Sequence, residues 1–75
     1  MKVKRYFLIF ATEFFTKWPA RSYISDEYKF DVKCTVKSDN NGLFIMRYFI
    51  LVEGEEKNID NFISYLRHEG FRIKS

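Results

Sequence analysis

The sequence predicts an α+β domain in which two helices pack on one face of a four-stranded antiparallel sheet, in the order βαββαβ. Three observations carry this. Segments with strand character and segments with helical period follow one another in that order, without a linker, across all 75 residues. The strongest turn signal, Ser38-Asp39-Asn40-Asn41-Gly42, joins two strand-like segments as a hairpin, with Asn-Gly supplying the positive φ that hairpins need. The first and third strand-like segments are apolar on both faces, and the second and fourth on one face only. That pattern puts the first and third strands at the centre of the sheet and the other two at its edges.

From Val3 to about Thr12 the chain is β-branched, aromatic and aliphatic, which suits a strand. Trp18-Pro19 marks a break, because proline fixes its own φ and biases the residue before it away from helical geometry. Pro19 is suited to open a helix, on which Ala20, Tyr23, Ile24 and Tyr28 form an apolar stripe. Arg21, Ser22, Asp26 and Glu27 take its opposite side. Val32, Cys34 and Val36 then alternate with Asp31, Lys33, Thr35 and Lys37, the pattern of a half-buried edge strand. After the turn, Leu43 to Glu53 reads as a long central strand, apolar in both alternating sets except at Arg47. Gly54 is expected to break it, with a second helix beginning at Glu55-Glu56. Ile59, Phe62, Ile63 and Leu66 have the clearest helical spacing in the chain. Acids at its start and Arg67 and His68 at its end complement the helix dipole, and Gly70 supplies the stop. Phe71 and Ile73 alternating with Arg72 and Lys74 make a short last strand. The whole is a single domain, residues 1–75, with the ferredoxin-like split βαβ arrangement, a two-layer sandwich.

Composition narrows the function. Fifteen residues, 20% of the chain, are aromatic. That is more apolar surface than so short a domain easily hides, since a chain of this size buries only ~60% of its unfolded surface. Helices on one side leave the other sheet face open. At ~4.8 Å between strands and ~3.3 Å per residue, that face measures about 400 Å². An apolar patch of this size is about the largest usual on a soluble monomer. With Leu43, Ile45, Phe49 and Leu51 as candidates to line it, the face is expected to meet a second copy or another partner. The alternation alone does not decide which set of the third strand faces the helices.

The charge balance is mildly basic, 13 Lys and Arg against 10 Asp and Glu. Lys2, Lys4 and Arg5 are the only dense basic group, and no stripe suited to a phosphate backbone emerges. The apolar run Tyr6 to Ala11 is shorter than the ~7–15 residues of a secretory signal core. Nothing approaches the ~20 apolar residues of a membrane span. With one cysteine, no internal disulfide forms, so a cytoplasmic protein without membrane insertion is expected.

No catalytic constellation stands out, and no enzyme is expected. Cys34 falls among the inward residues of its strand and reads as a small buried hydrophobe. His68 reads as a solvated helix-end residue, and Glu55, Glu56 and Asp60 as first-turn acids rather than metal ligands. One Cys and one His assemble no zinc or iron–sulfur site, and no cofactor is expected. Trp18 beside Pro19 reads as a lid on the core edge or as the wall of a small-molecule site where the first strand meets its helix. Arg47 reads as an exposed charge guarding against aggregation, or as a contact to a ligand carboxylate or an interface. RNA-recognition modules carry stacking aromatics on their first and third strands. Asn41-Gly42-Leu43-Phe44-Ile45 has aliphatics where such aromatics belong, so nucleic acid is the weaker reading.

Several residues together resemble a known family. They are the Lys-Arg start of the first strand, Glu13-Phe14 before Lys17-Trp18-Pro19, and the helix Arg21 to Tyr28 with its Tyr-Ile pair. Gly42-Leu43, Val52-Glu53-Gly54-Glu55-Glu56-Lys57-Asn58-Ile59, Tyr65-Leu66 and Glu69-Gly70-Phe71 continue the match over nearly the whole chain. On these the chain resembles a NIL domain, the ferredoxin-like module of methionine ABC-transporter ATPase subunits and of NIL–ferredoxin proteins. The Asn-Ile-Leu triplet that names the family is absent. Phe30-Asp31-Val32 or Lys33-Cys34-Thr35 stands in that region. The resemblance implies a small dimeric regulatory or ligand-binding domain; the open sheet face or an edge strand is expected to carry the dimer contact. It further implies a ligand such as methionine or a related amino acid. Trp18, Pro19, Arg47, Leu43, Ile45, Phe49 and Leu51 are the candidate ligand or interface residues. The alternative is a structural or protein-interaction module without a ligand.

Overall fold

The structure, a computed structural model, describes residues 1–12, 20–41 and 45–74. Strand β1 spans Lys2–Thr12, helix α1 Ala20–Ile24 with a 3₁₀ segment Ser25–Phe30, and strand β2 Lys33–Asn41. Strand β3 spans Ile45–Glu55, helix α2 Glu56–His68 and strand β4 Arg72–Lys74. The four strands form one sheet in the order β2-β3-β1-β4, every neighbouring pair antiparallel. The two apolar-sided strands, β1 and β3, are central, as the alternation predicts. Among the described residues, no helix is long and apolar enough to cross a membrane.

One face of the sheet meets the helices. Phe7 and Ile9 of β1 and Tyr48, Ile50 and Val52 of β3 are buried against Tyr23, Ile24, Ile59, Phe62, Ile63, Leu66 and Phe71. All four residues of the predicted α2 stripe are in this core. Helix α2 ends in a left-handed Gly70, with φ of 113°. The Gly70 N–H donates to the Arg67 carbonyl and the Phe71 N–H to the Leu66 carbonyl, both at 3.1 Å. This pair of bonds closes the helix and delivers Phe71 into the core.

The first helix differs from the expected stripe. Only Ala20–Ile24 is α-helical, and the chain tightens to 3₁₀ from Ser25. With three residues per turn, Ile24, Glu27 and Phe30 share a side, and Tyr28 is turned out to 73% exposure. Phe30 takes the inward place, its ring 5.5 Å from Phe62 and 5.1 Å from Tyr65. Tyr65 Oη donates to Asp26 Oδ2 at 2.6 Å, tying the 3₁₀ segment to α2.

Two strand ends also differ. Gly54 does not break β3, which runs on to Glu55 before α2 begins at Glu56. A Cβ on Gly54 would lie 3.0 Å from Val32 Cγ1 and 3.3 Å from the Asp31 carbonyl. Close approach of the chain entering β2, rather than strand termination, explains this glycine. Strand β2 continues to Asn41 through residues expected to turn, with a register shift between Val36 and Ser38. The Asn-Gly turn itself, at Gly42, lies outside the described residues.

Candidate binding surface on the open sheet face

Directly paired residues of a sheet project to the same face, so the strand registers assign the face away from the helices. On β1 it carries Lys4, Tyr6, Leu8 and Phe10, paired on β3 with Glu53, Leu51, Phe49 and Arg47. On β4, Lys74 pairs with Leu8 and Arg72 with Phe10. On β2, Lys33 and Thr35 pair with Glu53 and Leu51. The bulge after Val36 reverses the alternation, so Ser38 rather than an odd-numbered residue pairs with Phe49.

The centre of this face is apolar. Leu51 is only 6% exposed although it is absent from the core cluster. The register flanks it with Thr35 and Tyr6, and its own strand neighbour Phe49 stands two residues away. Tyr6 and Phe49 stack with ring centroids 5.3 Å apart and planes 11° from parallel. They remain 52% and 38% exposed, and Leu8 36%. The ends of the face are charged. At one end Lys4 Nζ lies 3.9 Å from Glu53 Oε1. At the other, Arg47, Phe10 and Arg72 form one cross-strand row, and Leu8, Phe10, Arg47 and Lys74 line a shallow pocket of about 250 Å³.

Of the residues singled out in the sequence, Arg47, Phe49 and Leu51 come together on this face. Trp18, Pro19 and Leu43 lie outside the described residues, and Ile45 is described as a backbone position paired with Thr12. Sequence reasoning missed Tyr6, Leu8, Phe10, Arg72 and Lys74. Their alternation was visible, but only the register places them beside Arg47. The dense group Lys4-Arg5 is split by the pleat, for Arg5 Nη2 pairs with Glu56 Oε1 of α2 at 2.9 Å.

Cys34 lies on the helix side of edge strand β2, half-buried against the core. Its backbone N–H donates to the Glu27 carboxylate. Burial first, and the Glu27 charge second, push the thiol from 9.0 to about 12, so it stays protonated near neutrality. Tyr65 is also raised, by desolvation and then by its hydrogen bond to Asp26. His68 is exposed in the last turn of α2. Among the described residues, no group of three or more His, Cys, Asp or Glu is placed to hold a metal ion.

Comparison of the chain with protein-family models, with curated proteins and with solved structures finds no match. No activity or ligand is therefore carried over from a known protein, and the functional reading rests on the residues themselves.

Proposed function

We propose that the chain is a non-enzymatic binding domain of the ferredoxin-like type, and that the open sheet face is its working surface. The observation that carries this is the exposure of Tyr6, Leu8 and Phe49 around the covered Leu51, on a face against which no described helix packs. The sheet edges are poor alternatives. Strand β2 carries Lys33, Lys37 and a bulge, and Glu27 occupies its Cys34 N–H. Strand β4 is three residues long. Lysines, bulges, covered edge groups and short edge strands all oppose strand addition.

The resemblance to NIL domains supports a regulatory role, in which a small amino-acid-type ligand such as methionine is sensed. Sedimentation of the wild type and of Phe49→Asp, alone and with each candidate ligand, tests the surface. The proposal expects the charge on the apolar centre to abolish assembly or partner binding while the far-ultraviolet circular dichroism stays native. An unchanged variant refutes it. A thermal-shift series with methionine tests the ligand, because anything that binds only the folded state raises its stability.

A further inference from the structure

The open face carries a charge imbalance that a second copy of the chain does not satisfy. Lys2, Lys4, Lys33, Arg47, Arg72 and Lys74 stand on it by register, with Glu53 and Glu55 as the carboxylates among them. None of the ion pairs among the described residues includes Arg47, Arg72 or Lys74. Packing two such faces together would bring both sets of cations into one interface, where like charges repel. Area points the same way. With strands of 11, 9, 11 and 3 residues, the face measures about 540 Å² at ~3.3 Å per residue and ~4.8 Å between strands, below the ~800 Å² that each partner contributes to a standard protein interface.

What the face offers instead is ring surface and positive charge side by side. The Tyr6–Phe49 stack presents exposed aromatic surface that a further planar group can extend. Two residues along β3 from Phe49, Arg47 opens the cationic end, where Phe10 stands between Arg47 and Arg72 and Leu8 stands beside Lys74. A ligand that fits both regions needs planar groups for the rings and repeated negative charge for the cations. An acidic peptide brings charge without planar faces, and a duplex keeps its base faces inside its own stack. An unpaired nucleotide strand presents both.

We propose that the open face binds single-stranded nucleic acid, with bases on the Tyr6–Phe49 stack and backbone phosphates at Arg47, Arg72 and Lys74. The proposal rests on the reading that this face is the working surface. The four-stranded sheet of RNA-recognition modules stacks two or three bases, and three cations match a run of that length. Tyr6 and Phe49 lie in the middle of β1 and β3, not in the segment beginning at Asn41.

Fluorescence anisotropy with a labelled uridine octanucleotide, and with an RNA duplex of the same length, tests this. The expected Kd for the single strand is on the order of 1–100 µM at low salt, with weaker binding to the duplex. Log affinity should fall against log salt with a slope of about −2, from three phosphates at ~0.7 each. Replacing Arg47, Arg72 and Lys74 together by alanine should flatten that slope. All three side chains are exposed, so the fold is retained. Tyr6→Ala should weaken binding by about fivefold to 150-fold through lost stacking. Lys57→Ala, on the exposed side of α2, should leave it unchanged. Absence of binding at ~100 µM protein, the weak limit of the usual non-specific range, overturns the proposal. Equal binding to the duplex, or an equal loss in Lys57→Ala, does the same. If the octanucleotide fails while Phe49→Asp breaks up a dimer, the face is a protein interface and only its occupant is wrong. If vesicles containing phosphatidylserine bind in its place, a membrane surface replaces the nucleic acid. If Phe49→Asp changes neither assembly nor binding, the reading of the face falls as well.

Discussion

Removing one ring of the Tyr6–Phe49 pair separates what the open face contributes to folding from what it contributes to binding. Phe49 is 38% exposed. Of the ~200 Å² that an aromatic ring offers, it therefore buries about 120 Å², part of which an alanine methyl retains. At ~25 cal/mol per Å², Phe49→Ala should lower stability by about 2 kcal/mol. Tyr6 is 52% exposed, so Tyr6→Ala should lower it less, by about 1–1.5 kcal/mol. The rings stack at 5.3 Å and 11°, and such pairs are worth about 0.5–1.5 kcal/mol beyond their burial. The double variant should therefore lose less than the sum of the singles by that amount. Urea denaturation of the four proteins, followed by circular dichroism, gives the coupling directly. A coupling below ~0.3 kcal/mol, the usual scatter of additive sites, would refute the stack as an energetic pair.

Three further outcomes are expected. Gly54→Ala should destabilise by about 2–4 kcal/mol in urea, because side chains rarely adopt its φ of 158° and the new Cβ would press on Val32 Cγ1 at 3.0 Å and the Asp31 carbonyl at 3.3 Å. A loss under ~0.5 kcal/mol, the range of an ordinary surface change, contradicts that. Tyr65→Phe removes the 2.6 Å bond to Asp26 and should lower stability by about 1 kcal/mol, and an unchanged urea midpoint contradicts it. Cys34 keeps its proton in the folded chain up to about pH 12 but loses it near 9.0 when unfolded. Its contribution to stability is therefore fully present below pH 9.0 and lost as pH rises toward 12. The Cys34→Ala variant should lack that part of the alkaline fall. Iodoacetamide should alkylate native Cys34 more slowly at pH 8 than the urea-unfolded chain, and equal rates contradict a covered thiol.

The fold was largely legible because its signals are local periods. The four-residue stripe of α2 is buried as spaced, Gly70 closes that helix, and the two strands apolar on both sides are the central ones. Where the reading slipped, a contact between distant segments overrode a local rule. Gly54 marks a close approach to Val32 inside β3 rather than the strand's end. Tyr28 turns outward because the 3₁₀ segment has a different period from the α-helix the spacing implied, and Phe30 replaces it in the core. The candidate surface was legible only in part. Phe49, Leu51 and Arg47 could be named as strand residues, but their face was undecided until register fixed it. The cationic end was invisible, since Arg47 and the pair Arg72 and Lys74 come from strands far apart in the chain and meet across β1. The expected excess of aromatics on the open face is smaller than composition implies. Tyr23, Phe30, Phe62, Tyr65 and Phe71 form a ring cluster on the helix side instead.

The most direct test of the open face as working surface is an NMR titration of the labelled protein with the uridine octanucleotide. The account predicts shifts at Tyr6, Leu8, Arg47, Phe49, Leu51, Arg72 and Lys74, with α2 unperturbed. Shifts confined to α2 and the 3₁₀ segment, with the open-face resonances unmoved, would contradict it.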